Sequence, residues 1–277
     1  PLREIAPPLV RKLPPIVDGE FIRNIRPETG PEAAKDKGHS GDGALFPSAQ
    51  SLMGATISGP LGSFEGLSNQ DNFNLLGGRV NPPDPVGDVG PNHYVEMINL
   101  VYAVYDKQGN LLAGPNVLGD LWSDYAIADC AGNFGDPIVV YDQLEDRWIL
   151  SQFTAAGPLY YNCVAVSVTG DPTGAYYRYA FITQADPELP GGSFFPDYPK
   201  YGVWTHSYVM TTRDFGDISG YGISIYALEK RKMIAGNPNA RAVQFFLDSN
   251  VVPLELIGDG LLPPDVDGTR RPQDHVP

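Results

Sequence analysis

The feature that most constrains this chain is a series of short apolar runs, rich in β-branched and aromatic residues and bounded by Gly, Pro, Asp or Asn. Runs of this kind are typical of β-strands. Helical periodicity is nearly absent, and only 227–235 offers one or two helical turns. The runs form three groups: 93–99, 101–107 and 110–115; then 138–142, 147–153, 161–169 and 176–183; then 201–206, 208–212, 222–228 and 241–248. The sequence predicts an all-β fold.

The three groups resemble repeats of one unit, because each begins near an Asp-containing turn. These turns are Asp84-Pro85, Asp136-Pro137 and Asp197-Tyr198-Pro199, at intervals of 52 and 61 residues. Such intervals suit a four-stranded propeller blade with its loops. We therefore expect a β-propeller portion of three to four blades, each a four-stranded antiparallel sheet. An irregular β-sandwich is the alternative.

Three or four blades do not close a ring, since six or seven need roughly 300–350 residues at this spacing. An open propeller exposes strand edges and apolar sheet faces. We expect further chain, a protein partner or self-association to complete the ring. This applies to residues 61–277, which the sequence assigns to the propeller portion.

Residues 1–60 differ from the rest and are predicted to form an extended N-terminal arm. The segment is rich in Pro and Gly and lacks a strand or helix period. Such a segment becomes ordered only by packing on another surface, either its own domain or a neighbouring molecule.

Composition excludes some classes of function. Lys and Arg number 19 against 33 Asp and Glu, which gives a net charge of −14 and repels a nucleic-acid backbone. No apolar run approaches the ~18 residues of a transmembrane helix. Gly 31 and Pro 27 favour many turns over long helices. We therefore expect an acidic, turn-rich protein with no nucleic-acid partner and no transmembrane segment.

The chain has only two cysteines, Cys130 and Cys163, which are 33 residues apart. A single pair with no leftover thiol fits one disulfide formed in an oxidising compartment, and so a secreted or cell-surface protein. Two buried free thiols are the alternative. The spacing contains no CxxC pair of the kind that zinc sites use.

The Asp-rich turns are the candidate metal sites. Asp84 and Asp88 lie four residues apart in a Gly/Pro turn, with Asn92 nearby. Carboxylates and loop carbonyls in such turns supply the oxygen ligands that Ca²⁺ prefers, so a calcium turn is one interpretation. The other is that these Asp side chains cap their own turns by accepting backbone N–H groups. Taken singly, Asp136, Asp142, Asp171 and Asp197 favour turn capping.

Several phrases are similar to those of a known group of proteins. They are PPDPVGDVGPNHYVEMIN (82–99), GDPIVVYDQLEDRWILSQF (135–153), AVSVTGDPTGAYYRYAF (165–181), PDYPKYGVW (196–204) and IYALEKRKMIAG (225–236). Over about residues 64–265 the chain resembles a family of large secreted bacterial proteins with sialidase-like or BNR-like propeller repeats. The resemblance implies a propeller, secretion and a longer parent protein; the arm lies outside it.

The sequence assigns no catalytic residue. A sialidase-like site would need several arginines near one axis. Arg147, Arg178, Arg213 and Arg241 are not placed that way, and no GxSxG or HExxH motif occurs. We therefore expect a secreted or cell-surface structural or interaction module, with calcium and surface carbohydrate as candidate ligands. The alternative is a secreted glycosidase-like hydrolase whose catalytic residues lie largely outside this chain.

Overall fold

The computed structural model describes residues 62–218, 220–253, 256 and 260–266, so the arm at 1–60 lies outside it. Twelve strands form three four-stranded antiparallel sheets, which confirms the all-β prediction. The first sheet contains β1 (Val86–Val89), β2 (His93–Ile98), β3 (Val101–Asp106) and β4 (Leu111–Val117). The second contains β5 (Ile138–Asp142), β6 (Arg147–Phe153), β7 (Tyr161–Ser167) and β8 (Tyr176–Ile182). The third contains β9 (Phe195–Val203), β10 (Tyr208–Phe215), β11 (Tyr221–Leu228) and β12 (Ala242–Asp248).

In every sheet, neighbours along the chain are also neighbours in space. The turn between β3 and β4 shows how the sequence sets this order. The Asp106 carboxylate accepts hydrogen bonds from the backbone N–H groups of Gln108 and Asn110, at 2.8 and 2.9 Å. Gly109 adopts a φ of 85°, which costs glycine little. The turn therefore joins β3 to β4 as a tight hairpin.

The sheets lie face to face, and the first strand of each is beside that of the next. β1 contacts β5, and β5 contacts β9. One apolar core lies between the first two sheets and includes Met97, Tyr102, Trp122, Trp148 and Leu150. A second core lies between the second and third sheets and includes Ile149, Val166, Met210, Tyr226 and Met233. The alternation of each strand thus supplies both sides of the second sheet with buried residues.

Two α-helices accompany the sheets in the described residues. Helix α1 (Asn69–Leu76) begins with a capping box, in which Ser68 and Asp71 satisfy each other's backbone N–H groups. The polar segment NQDNFN does not show helical periodicity, so the sequence prediction lacks α1. Helix α2 (Lys230–Ile234) falls inside the predicted 227–235 segment, which confirms that prediction. Two short 3-10 helices, Leu118–Trp122 and Ala128–Ala131, connect the first sheet to the second.

Most strands differ from the prediction by one to three residues at one or both ends, and two strands differ more. The prediction lacks β1, because VGDV reads as a turn. The run at 201–206 is a strand only at 201–203, because β9 begins at Phe195 and ends at Val203. The two prolines in β9 conceal its first half, although proline is acceptable on a strand with one unpaired edge. The predicted turn Asp197-Tyr198-Pro199 therefore lies within a strand.

Cys130 and Cys163 form the predicted disulfide. Both are fully buried, and the bond ties the second 3-10 helix to β7 in the middle of the second sheet. Among the described helices, none has the length and apolar character needed to cross a lipid bilayer.

Candidate functional site

The first strands of the three sheets share an unusual backbone, which stands just before β1 and β5 and inside β9. Asp84, Asp136 and Tyr198 each precede a proline and have φ values of 38°, 43° and 51°. A left-handed φ costs a residue other than glycine about 1–3 kcal/mol, so surrounding contacts must hold it in place. Each position directly precedes a proline, two residues before β1 and β5 begin but at the fourth residue of β9.

A buried amide, Asn99, links the first two of these positions. Its Nδ2 donates to Asp84 Oδ2 at 2.6 Å, and its Oδ1 accepts from the backbone N–H of Asp136 at 2.7 Å. Its own carbonyl accepts from the Asn72 side chain of α1. The third position is linked in turn, since the Tyr198 N–H donates to Asp136 Oδ2 at 3.3 Å. A chain of hydrogen bonds therefore joins these three positions.

Asp84, Asp136, Asp197 and Lys200 form a charged group that we call the Asp–Lys cluster. Burial raises the pKa of Asp136 to about 7, and the negative charges of Asp197 and Asp84 act in the same direction. The Tyr198 N–H and the positive charge of Lys200 oppose this rise. Near neutral pH, Asp136 is therefore divided between its protonated and ionised forms.

Lys200 is the cationic member of the cluster. Burial lowers its pKa, while the charges of Asp136, Asp197 and Asp84 act to raise it. Its Nζ lies 3.3 Å from the centre of the Tyr198 ring, which is within cation–π range. Tyr198 itself is exposed. The cluster thus presents carboxylates, a lysine and an aromatic ring before β1 and β5 and within β9.

Chemically, this arrangement combines a carboxyl group that exchanges its proton near pH 7 with two further carboxylates and an aromatic surface. Such groups suit polar, hydroxyl-rich ligands, and a carboxyl of raised pKa is a feature of general acids. Across the described residues, no set of three or more His, Cys, Asp or Glu side chains is grouped as a metal site.

The residues predicted as a calcium turn occupy three different settings. Asp84 bonds to Asn99, as described above. Asp88, in β1, accepts from the backbone N–H groups of Val89 and Tyr141, both at 2.7 Å, and so ties the first sheet to β5. Asn92 is exposed in the β1–β2 turn. Roughly 13 Å of largely extended chain separates Asp84 from Asp88. Calcium at these residues stays a prediction.

A second polar group lies between the second and third sheets. Lys230 Nζ is 2.7 Å from Asp142 Oδ2, and the Tyr208 hydroxyl donates to the same oxygen at 2.9 Å. Lys230 also donates to the carbonyl of Trp204 at 3.1 Å. Asp142 and Lys230 are 0% and 1% exposed, so this ion pair lies in the interior. We call it the buried ion pair; its enclosed position gives it a structural role.

The turn-capping prediction is confirmed for Asp142 and Asp171. Asp142 Oδ1 accepts from the N–H groups of Leu144 and Glu145, and Asp171 Oδ1 accepts from the N–H of Thr173. Asp136 Oδ2 accepts from the Tyr198 N–H of the third sheet, and so it joins two sheets. Lys200 was missed, although it follows the third Asp-Pro turn and so could have been found from the repeat.

A pocket between the second and third sheets contains no carboxylate. It is lined by Val140, Ile149, Tyr201, Gly202, Val203 and Tyr208.

Comparison with protein-family models, with curated proteins and with solved structures finds no match to this chain. The resemblance to secreted bacterial propeller proteins therefore stays a prediction.

Proposed function

We propose that the three sheets are consecutive blades of a β-propeller, and that the chain serves as a secreted or cell-surface structural and interaction module. The observation that carries this proposal is the adjacency of the first strands β1, β5 and β9. In a propeller the first strand of each blade lines the axis, and blades pack face to face. The repeated left-handed residue before proline supports equivalent positions around such an axis.

The interaction role is supported by the outer face of the third sheet, the side away from the second sheet. Val243 and Phe245 are exposed there, and Ile225 is partly exposed. Residues 261–266 cover the part near β9, where the Val266 N–H donates to the carbonyl of Val203. A protein partner or a further copy would bury the remaining apolar surface and complete the ring. Surface carbohydrate is a candidate ligand of the Asp–Lys cluster.

Secretion is supported by the disulfide, because such bonds form and persist in oxidising compartments.

Calcium remains part of the proposal through Asp84, Asp88 and Asn92. A chelator should lower the thermal midpoint if calcium is bound, and Asp88→Asn should remove that sensitivity while keeping an oxygen that can accept from Tyr141. Identical melting curves with and without chelator would exclude calcium.

One observation favours a second candidate, a glycosidase-like hydrolase. Asp136 has a pKa of about 7 and is close enough to Asp84 and Asp197 for their charges to affect it. Glycosidases pair a protonated carboxyl with an ionised one across the scissile bond. The interaction role ranks first, because it needs only the described sheets, whereas hydrolysis also needs a substrate cleft.

One experiment separates the two functions. The native chain is incubated with aryl glycosides and polysaccharides, and its mass is measured in solution and under denaturing conditions. The interaction role predicts no turnover and a native mass above that of one chain, which Ile225→Lys on the outer face reduces. The control, Leu111→Lys, alters an exposed residue of the first sheet. Turnover that Asp136→Asn abolishes, in a chain that remains monomeric, would instead establish the hydrolase.

A further inference from the structure

The last strand of the third sheet, β12, has an unprotected edge. In the part of the chain that the structure describes, β12 pairs with β11 on one side and with no strand on the other. Its sequence, AVQFFLD, has no proline, no glycine and no charge before Asp248. A long edge strand of this kind is a template for pairing with another strand.

The corresponding edges of the other two sheets are protected. β4 contains Pro115, which has no N–H to donate, and its register with β3 is interrupted twice. β8 carries Arg178, whose side chain donates to the carbonyl of Ser123 and lies 5.6 Å from the Tyr125 ring. Proline, irregular register and inserted charge are the usual means by which edge strands avoid pairing. β12 has none of them.

The hydrogen bonds to β11 show which groups of β12 face outward. The Glu229 N–H donates to the carbonyl of Arg241, and the Ser249 N–H donates to the carbonyl of Tyr221. Residues opposite each other in an antiparallel pair alternate between bonded and non-bonded. The odd-numbered residues of β12 therefore point their backbone groups at β11. Those of Ala242, Gln244 and Phe246 point to the open edge.

The charges at the ends of β12 bear on the direction in which two copies of the strand would pair. The strand is preceded by Arg241, whose side chain is 78% exposed, and it ends on Asp248. If two copies pair antiparallel, the two arginines lie at opposite ends of the paired strands, and so do the two aspartates. A parallel arrangement would instead put like charges directly opposite each other, which is unfavourable. The charges therefore favour antiparallel pairing of two copies.

Full overlap of the two strands also fixes the register. Ala242 then lies opposite Asp248 of the other copy, Val243 opposite Leu247, and Phe245 opposite its own counterpart. Phe245 is 61% exposed, so its ring is available for this contact. Aromatic and branched apolar residues are favourable partners across an antiparallel pair. In this register, all the directly opposed residues of the outer face are apolar.

We propose that β12 pairs antiparallel with β12 of a second copy of this chain, which joins two third sheets into one continuous sheet across a two-fold axis. The pairing uses up the open edge of both copies, so it closes at a dimer. It goes beyond the proposed function, since it concerns the edge of one strand and not the arrangement of the sheets.

The test is sedimentation equilibrium of the full chain over a concentration series, under oxidising conditions. The wild type should reach a monomer–dimer equilibrium. Phe245→Lys puts two ammonium groups opposite each other and should raise the dimer dissociation constant at least tenfold. Leu111→Lys is the matched control: Leu111 is 49% exposed on β4 and should leave the constant unchanged. Circular dichroism checks that both variants fold.

A second measurement does not depend on the affinity. In the proposed register Phe245 forms a non-hydrogen-bonded pair with its counterpart, with Cα atoms about 4.5 Å apart, which a disulfide can span. Both native cysteines are already paired. Phe245→Cys should therefore give a cross-linked dimer on a non-reducing gel, and Leu111→Cys should not. A wild type that stays monomeric without cross-linking, or a dimer that tolerates Phe245→Lys, would overturn the proposal.

Discussion

The two interfaces between the sheets are built on the same plan but are secured by different chemistry. The first, between the first and second sheets, is apolar and contains the covalent Cys130–Cys163 bond. The second, between the second and third sheets, contains the buried ion pair of Asp142 and Lys230. A disulfide acts mainly on the unfolded chain, whereas a buried ion pair acts on the folded state and only while both partners are present. The two interfaces should therefore respond differently to the loss of a single group.

The largest effect is expected from Lys230→Met. It leaves the Asp142 carboxylate buried without its cation, which should cost about 3–5 kcal/mol of unfolding free energy. Lys232→Met is the matched control, because Lys232 lies on the same helix but its side chain is 38% exposed. Denaturant unfolding of both variants gives the two values.

A double variant isolates the unpaired charge. Adding Asp142→Asn to Lys230→Met removes the charge but keeps an oxygen for the Leu144 N–H, so most of the lost stability should return. If the double variant is as unstable as Lys230→Met, lost packing and not charge would explain the effect.

Removing the disulfide of the first interface should cost slightly less unfolding free energy than Lys230→Met costs the second. The disulfide closes a loop of 33 residues, and the chain-entropy relation gives about 3–4 kcal/mol for a loop of that length. Reduction should lower the thermal midpoint by several degrees, provided that mild denaturant exposes the buried bond. A Cys130→Ala/Cys163→Ala variant should show the same low midpoint with and without reductant; any further drop would point to another effect of the reductant.

The sequence predicted one of these interfaces better than the other. A single cysteine pair allows only one intramolecular disulfide, so Cys130–Cys163 followed directly. Lys230 belongs to the run EKRK, which looks solvent-exposed, and its burial depends on where α2 packs. The strands with clear alternation were also predictable. β1 and β9 were not, because their Gly, Asp and Pro residues indicate turns.

The Asp–Lys cluster was predictable only in part, for a related reason. The spacing of the Asp-Pro turns identified repeats, and repeats imply equivalent positions. It did not show that Asp84, Asp136 and Asp197 meet, since that depends on how the sheets are arranged. Nor could it show that Asn99, far from these turns in sequence, joins two of them. Short-range sequence patterns predict strands and turns. The geometry of the cluster depends on hydrogen bonds between residues that are distant in sequence.

The Asp–Lys cluster joins all three sheets. The pH dependence of the unfolding free energy therefore tests whether ionised Asp136 destabilises the fold. The pKa of Asp136 is about 7 in the folded chain and about 4 in an unfolded one. Between these values the folded state binds more protons than the unfolded state at Asp136, so the contribution of Asp136 to stability is fully present below about pH 4 and is lost as the pH rises to about 7. Asp136→Asn should remove this decline and gain stability relative to the wild type as the pH increases.

Asp106→Asn is the control of opposite sign. Hydrogen bonds from the Asn110 side chain and backbone lower the pKa of Asp106, so its contribution is present above the unfolded pKa and is lost as the pH falls. Stability curves from pH 3 to 8 should therefore change in opposite directions for the two variants. If both variants changed the pH dependence of stability in the same direction, the raised pKa of Asp136 in the folded chain would be contradicted.

The smallest effect is expected at an exposed ion pair, which sharpens the contrast with the buried one. Lys232 and Arg241 lie 2.8 and 3.2 Å from the Glu229 carboxylate, and their hydrogen bonds lower its pKa to about 2. Water screens these charges, so Arg241→Ala should leave the unfolding midpoint of the monomer unchanged within error. A loss comparable to that of Lys230→Met would show that burial is not what distinguishes the two pairs. If Arg241→Ala causes no measurable loss, burial is the property by which the ion pair of the second interface contributes to stability.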